Sequence, residues 1–243
     1  MKWHIGCSGF LYRDWKNIFY PPGIPQRSWL NYYSTQFDTL EINSSFYKFP
    51  EDKNLKKFYD QTEENFQFAL KAPRVITHFE KLKNCDAQFS DLYAAAQNGL
   101  KEKLGPILFQ FPPSFLYSPE NMEAILKSFK PEFKNVVEFR NDSWFNVEVE
   151  ETLCQNEIIM SGLSHPILKE KQAIIKTCGT IYYRFHGIER LFYSAYAEKA
   201  MEDFYIEATE SGAEEIFVYF NNTASLAAIE NALYLKKIIA INA

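Results

Sequence analysis

The chain has 243 residues, with 31 acidic and 26 basic side chains giving a formal charge of −5. That mild acidity argues against general binding to nucleic acid or anionic membranes. No run approaches the roughly 18 apolar residues of a membrane span and no signal-like segment precedes the first strand, so a cytoplasmic location is expected.

Hydrophobic residues make up 47%, including 22 Phe, 15 Tyr and 4 Trp, enough for one sizeable core. No Ser/Gly-rich stretch or low-complexity block marks a linker, so residues 1–243 read as a single domain. The length is close to the roughly 250 residues typical of a βα barrel. Cys7, Cys85, Cys154 and Cys178 are scattered without a CxxC pair and read as reduced, mostly buried thiols.

In chain order, Trp3–Ser8 reads as the first strand. A long loop from Gly9 to Arg27 follows, and its aromatics (Phe10, Tyr12, Trp15, Phe19, Tyr20) argue for a packed segment rather than disorder. Ser28 caps a helix to about Phe37. Thr39–Asn43 alternates as a strand with Glu41 and Asn43 on one face. Asp52–Glu64 reads as a helix, Phe66–Ala72 as the third strand carrying Lys71, and Gln88–Lys101 as a helix. Pro106–Phe111 is the fourth strand, with Gln110 near its end, and Ser118-Pro119-Glu120 opens the next helix.

Val136–Arg140 is the fifth strand, with Glu138 and Arg140 on one face, followed by a helix over Asn146–Gln155. Ile158–Met160 is a short sixth strand. Gly162–Gly179 lacks a helical period, so the sixth crossover helix is expected to be missing or reduced. Ile181–His186 is the seventh strand, with Tyr182, Arg184 and His186 on one face. A helix covers Ala197–Ser211, Ile216–Phe220 is the eighth strand, ending at Asn221-Asn222, and the last helix covers Ala224–Ile239.

Strand–helix alternation argues for a parallel sheet. Polar residues recurring at the same end of strand after strand fit the mouth of a barrel better than an open sheet buried on both faces. The expected fold is α/β, a single TIM-type (β/α)8 barrel, irregular around the sixth βα unit; an open doubly wound sheet is the runner-up.

Several motifs together resemble one family. They are Gly6-Cys7-Ser8-Gly9-Phe10 with Tyr12, Trp15 and Phe19-Tyr20-Pro21; Glu41-Ile42-Asn43-Ser44-Ser45-Phe46-Tyr47; Phe68-Ala69-Leu70-Lys71; Gln110-Phe111-Pro112-Pro113; Glu138-Phe139-Arg140 with Ser143-Trp144; Tyr183-Arg184-Phe185-His186-Gly187; and Tyr219-Phe220-Asn221-Asn222. The ordered set is similar to the domain of unknown function 72, or YecE-like, family. The resemblance implies a TIM-type barrel and no established reaction. Asn17 departs from it, standing where the family favours glycine.

At the expected mouth, Glu138, His186 and Glu41 are the candidates for proton transfer. Arg140 and Arg184 have the planar fork that grips carboxylate or phosphate, with Lys71 as a third cation. Asn43, Gln110, Asn221 and Asn222 add amide donors and acceptors, and Tyr12, Tyr47 and Trp144 add flat faces. A competing reading makes the charges a closed ion-pair layer that serves the fold.

No metal is expected, because the histidines lack HxH or HExxH spacing and adjacent cations would repel an ion. The absence of GxGxxG and P-loop patterns argues against a dinucleotide or NTP cofactor. The function expected is metal-independent acid–base chemistry on a small anionic, sugar- or nucleotide-like substrate. The alternative is a non-enzymatic module that holds a ligand or an end of nucleic acid in the same mouth.

Overall fold

A computed structural model describes residues 1–168 and 173–242. In chain order the elements are β1 (Lys2–Cys7), α1 (Trp29–Gln36), β2 (Thr39–Ile42), α2 (Ser44–Tyr47), α3 (Asp52–Tyr59), β3 (Gln67–Lys71), α4 (Asp86–Leu100), β4 (Leu104–Gln110) and α5 (Pro119–Ser128). They continue with β5 (Asn135–Glu138), α6 (Val147–Gln155), β6 (Ile159–Met160), β7 (Gly162–Ser164), β8 (Lys176–Thr177), β9 (Thr180–Phe185), α7 (Glu198–Glu210), β10 (Glu215–Phe220) and α8 (Ala227–Asn242). Ser118 starts α5 as the sequence suggests, its Oγ accepting from Asn121 N–H at 3.2 Å, and Asn146 Oδ1 caps α6 by accepting from Val149 N–H at 3.0 Å, whereas Ser28, expected to cap α1, makes no side-chain cap bond.

The strands form two arcs. One runs β2-β3-β4-β5-β6 and the other β7-β9-β10-β1, all parallel, with β8 added antiparallel to β9. The arcs meet at both edges. At one joint β6 and β7 are a single strand interrupted at Ser161, pairing with β5 before the break and with β9 after it. At the other, Ser8 and Glu41 form a parallel bridge and Gly9 N–H donates to Glu41 O at 2.9 Å. Counting β6 and β7 as one and setting β8 aside, the described residues supply eight parallel strands, arranged around a barrel with these two joints.

Side chains do the stitching along the β1/β2 joint. The Tyr33 hydroxyl accepts from Cys7 N–H at 2.7 Å and donates to Thr39 O at 3.1 Å, while Asp38 Oδ1 accepts from Ile5 N–H at 3.0 Å. Gly6 is required there, because a Cβ would stand 2.0 Å from Thr39 O. Tyr33→Phe leaves a buried N–H and C=O unpaired and is expected to lower the unfolding free energy by about 1–3 kcal/mol. Urea unfolding checks this; an unchanged midpoint would show that the hydroxyl does not hold the joint.

The buried apolar residues separate into an outer core, between strands and helices, and an inner cluster of Ala69, Leu108, Val136, Ile159, Tyr182, Phe217 and Tyr219. The inner set occupies the strand faces turned into the barrel. Below it, at the N-terminal end, Glu215 accepts from His4 Nε2 at 3.0 Å and pairs with Lys134. Above it lies the polar layer described next.

The first loop is packed, not open. Trp15 and Tyr20 are fully buried, Trp15 Nε1 donates to Ser225 O at 3.1 Å, and Tyr20 stacks on Trp29 at 4.4 Å. Asn17 has a φ of 63°, a left-handed conformation that glycine adopts freely and that asparagine tolerates. Among the described residues of 162–179 there is no helix. Part of that stretch, residues 169–172, lies outside the described residues. Two of the four thiols, Cys7 and Cys85, are buried as expected, but Cys154 is half-buried and Cys178 exposed. No helix is long and apolar enough to cross a membrane among the described residues.

Candidate functional site

Strand after strand delivers its last inward residue to one end of the barrel. Arg184 on β9 sits at the centre and is fully buried. Its Nη2 donates to Glu41 Oε1 at 2.7 Å and its Nη1 to Glu138 Oε2 at 2.8 Å, with both carboxylates also fully buried. Glu41 accepts two more bonds, from Ser8 Oγ and from the Tyr182 hydroxyl, each at 2.7 Å. Glu138 Oε1 takes Arg140 Nε at 2.7 Å. Four charges thus close on one another: two arginines and two glutamates.

Burial pushes the Glu138 carboxyl up, but Arg140 and Arg184 outweigh it and hold the group well below the usual carboxylate range. Glu138 is therefore ionised, and a weak base. Burial would lower Arg184, but Glu138 and Glu41 carry it above the usual guanidinium value. These groups also occupy the carboxylate oxygens that a cation would need.

His186 follows β9 and is fully buried. Its Nε2 lies 3.0 Å from Arg140 Nη2 and 3.4 Å from both Arg184 Nη1 and Glu138 Oε2. A guanidinium can only donate, so Nε2 is the acceptor and the ring proton sits on Nδ1. Asn221 Nδ2 is placed 2.9 Å from Nδ1; two N–H donors cannot bond each other, so with the ring proton on Nδ1 the Asn221 amide must be flipped to present its oxygen there. Burial, then Arg140 and Arg184, hold the imidazole neutral, well below its usual range. His165 stands beside it with ring centroids 5.5 Å apart, and burial lowers its value to about 4.

Lys71, at the end of β3, stands apart from this network. Its Nζ donates to Gln110 Oε1 at 2.8 Å and lies 4.4 Å from the centre of the Phe46 ring. Among the described residues it has no carboxylate within ion-pair distance. Burial, followed by the charge on Arg184, lowers its ammonium to about 7 against the opposing pull of Glu41 and Glu138. A recess of about 190 Å³ opens beside the cluster, sharing Glu41 with it and lined by Asn43, Phe10, Tyr12 and Phe58. Asn43 Oδ1 is buried without a hydrogen-bond partner among the described residues. The Tyr12 hydroxyl donates to Ser8 O at 2.5 Å.

The structure therefore brings Glu41, Glu138, Arg140, Arg184, His186 and Asn221 into one network, with Lys71 and Gln110 next to it and Asn43 and Tyr12 at the recess. Three expected residues lie elsewhere. Trp144 is fully buried, stacked on Phe139 at 4.0 Å with its indole N–H bonded to Phe115 O, so it packs the core. Asn222 is buried and donates to Ser194 O and Asn231 Oδ1, tying the loop after β10 to α8. Tyr47 is 72% exposed, beside Arg74 on the rim. Sequence reasoning passed over Ser8 and His165. Alternation puts Tyr182 on the inward face, and the structure makes it a partner of Glu41.

An eight-stranded βα barrel that gathers ionisable strand ends into a mouth is the class this architecture defines. The chain belongs to the family described as "Protein of unknown function DUF72", whose family model matches residues 4–243. It is 26% identical to "UPF0759 protein YunF" of Bacillus subtilis (strain 168), covering 98% of this chain and 95% of that protein. It is also 26% identical to "UPF0759 protein YecE" of Escherichia coli (strain K12), over 58% of this chain and 52% of that one. The crystal structure of a DUF72 family protein from Thermotoga maritima MSB8 superposes with a TM-score of 0.88 at 27% identity, covering 99% of this chain and 100% of that chain. One from Enterococcus faecalis V583 gives 0.83 at 19% identity, covering 98% and 95%, a likeness of fold alone.

Proposed function

We propose that this protein is an enzyme acting on a small anionic, sugar- or nucleotide-like substrate at the C-terminal mouth of its barrel, with Lys71 as the group that moves a proton. One observation carries the reading: the two arginines and two glutamates close on one another, and Lys71 is left half-sequestered without a counter-ion among the described residues. An amine in that position loses its proton as pH passes through about 7, and the neutral form is free to take a proton from a bound substrate. Its lowered value of about 7 suits that task.

Arg140 supports the anion. Its Nε and Nη2 are engaged by Glu138 and His186, and its Nη1 has no hydrogen-bond partner among the described residues. Glu138 and His186 act in this reading by orienting Arg140, rather than by moving protons themselves. Glu41 orients Arg184. The recess beside Asn43 takes the remainder of the substrate, with Asn43 Oδ1 accepting from a hydroxyl or amine.

Anion affinity should be highest below pH 7, where Lys71 is charged, whereas turnover should rise as pH passes through about 7 and the amine is released. Two measurements check this. Brief acetylation across pH, read by peptide mass spectrometry, should show Lys71 becoming reactive with a midpoint near 7, well below the surface lysines. A thermal-shift screen of sugar phosphates, nucleotides and carboxylates should find a stabilising anion whose effect is lost in Lys71→Met and Arg140→Met. If Lys71 titrates like a surface lysine and no anion stabilises the protein, the proposal fails. Saturable binding with no turnover of any bound anion would make the mouth a binding site instead.

A further inference from the structure

The sulfur atoms of Cys154 and Cys178 face each other at 2.9 Å, far from the mouth chemistry above. Cys154 lies in the last turn of α6 and Cys178 in the turn between β8 and β9. The Cys154 sulfur accepts from Cys178 N–H at 3.1 Å, and the Cys178 thiol also reaches Cys154 O at 3.0 Å. Cys178 is exposed and Cys154 half-buried, in contrast to the buried Cys7 and Cys85.

The turn that carries Cys178 is unusual in its chemistry. Thr177 pairs with Thr180, so Cys178 and Gly179 form a two-residue hairpin loop, with φ of 53° and 75°. A hairpin with positive φ at both positions favours Asn-Gly or Asp-Gly, since few side chains tolerate the first position. Cysteine stands there at a conformational cost. The hairpin is fixed toward α6: Met160 N–H donates to Thr177 Oγ1 at 3.1 Å, which holds β8 against β6. The placement of Cys178 over Cys154 is thus built by the fold.

We propose that Cys154 and Cys178 are a thiol pair that closes to an intramolecular disulfide on exposure to a low-molecular-weight disulfide, making this a redox modification site. The Cys178 N–H points at the Cys154 sulfur, and it is the Cys154 thiolate that reacts first. That thiolate attacks one sulfur of the reagent, forms a mixed disulfide and releases one reagent thiolate. Cys178 then gives up its proton and attacks the Cys154 sulfur, releasing the second. Two protein thiols are oxidised to one disulfide and one reagent disulfide is reduced to two thiols. In a reducing compartment the resting form is the dithiol, and the bond forms on oxidation. It ties the end of α6 to the root of β9, the strand that carries Arg184, and closes the segment between positions 154 and 178.

The test is exchange with oxidised glutathione on the native full-length chain, followed by blocking with N-ethylmaleimide and peptide mapping without reduction. The expected product is one cross-linked peptide joining positions 154 and 178, with the protein lighter by two hydrogens and reopened by dithiothreitol. Its urea midpoint should exceed that of the reduced form, because the cross-link restricts the unfolded chain. Cys178→Ser should stop at a stable glutathione adduct on Cys154, and Cys154→Ser should react more slowly. Persistent glutathione adducts on the wild type, disulfides between two chains, or no modification at either cysteine would each overturn the proposal, and none of these outcomes bears on Lys71.

Discussion

Arg184→Met should be the most damaging single change at the mouth, costing about 3–5 kcal/mol of unfolding free energy. Arg184 bridges two carboxylates that have no exposure of their own. Removing it leaves Glu41 with two neutral donors, Ser8 and Tyr182, and Glu138 with Arg140. Neither carboxylate can turn to water. The cheapest relief is to take up a proton in the native state. That raises the native pKa above the unfolded one, so the variant's stability is retained at acid pH and lost as pH rises through the raised value. Denaturant unfolding of wild type and variant at a series of pH values checks this. The deficit should widen between mildly acid and mildly alkaline pH. A loss under 1 kcal/mol at all pH values would show that the layer is not structural.

Such a loss would not argue against chemistry at the same end of the barrel. The charges divide by burial into two sets. Glu41, Glu138 and Arg184 form a floor that specifies how the strands meet, and Lys71 and Arg140 stand on it. Substitutions in the floor should therefore appear first as lost stability, and substitutions at Lys71 as lost ligand response.

The opposite end of the barrel gives the second large effect. A hydrogen bond from His4, opposed by partial burial and helped by Lys134, holds the Glu215 carboxyl down to about 2 from an ordinary 4.5. A depressed native value stabilises the fold above the unfolded pKa, and that contribution disappears as pH falls from about 4.5 toward about 2. Solvent screening at this partly exposed carboxyl reduces the size to about 1–2 kcal/mol. Glu215→Gln should lose this amount at neutral pH and show a shallower acid limb than wild type. Parallel acid limbs in the two proteins would show that Glu215 does not carry the effect. Glu138, held low by its arginines, would still contribute to what remains of the limb.

The strands and the polar end of the barrel were legible because both depend on short-range pattern. Alternation over a few residues put Glu41, Lys71, Gln110, Glu138 and Arg184 on inward faces, and turn residues showed where each strand stops. What sequence could not supply was which groups meet across the barrel. Ser8 and Tyr182 reach Glu41 from 33 and 141 positions away, and the Tyr33 hydroxyl enters a joint between strands that its own helix only covers. Trp144 and Asn222 show the converse problem. An indole or an amide just past a strand end has the same local pattern whether it lines an opening or packs beneath a loop. The four-residue α2 and the five-residue π-helical turn at Val75–Phe79 are too short for any periodicity to register.

The two joints of the barrel give Arg184 a further consequence. Arg184 stands on the arc that runs from β7 through β9 and β10 to β1, whereas both of its carboxylate partners stand on the arc from β2 to β6. One joint is an interrupted strand and the other is sewn by side chains, so backbone hydrogen bonds bind each arc internally better than they bind the arcs to each other. Arg184 is thus the clasp of two half-barrels. A chain without it should breathe along both joints at once, and amide hydrogens at Cys7 and Ser161 should exchange with solvent sooner than those in the middle of either arc.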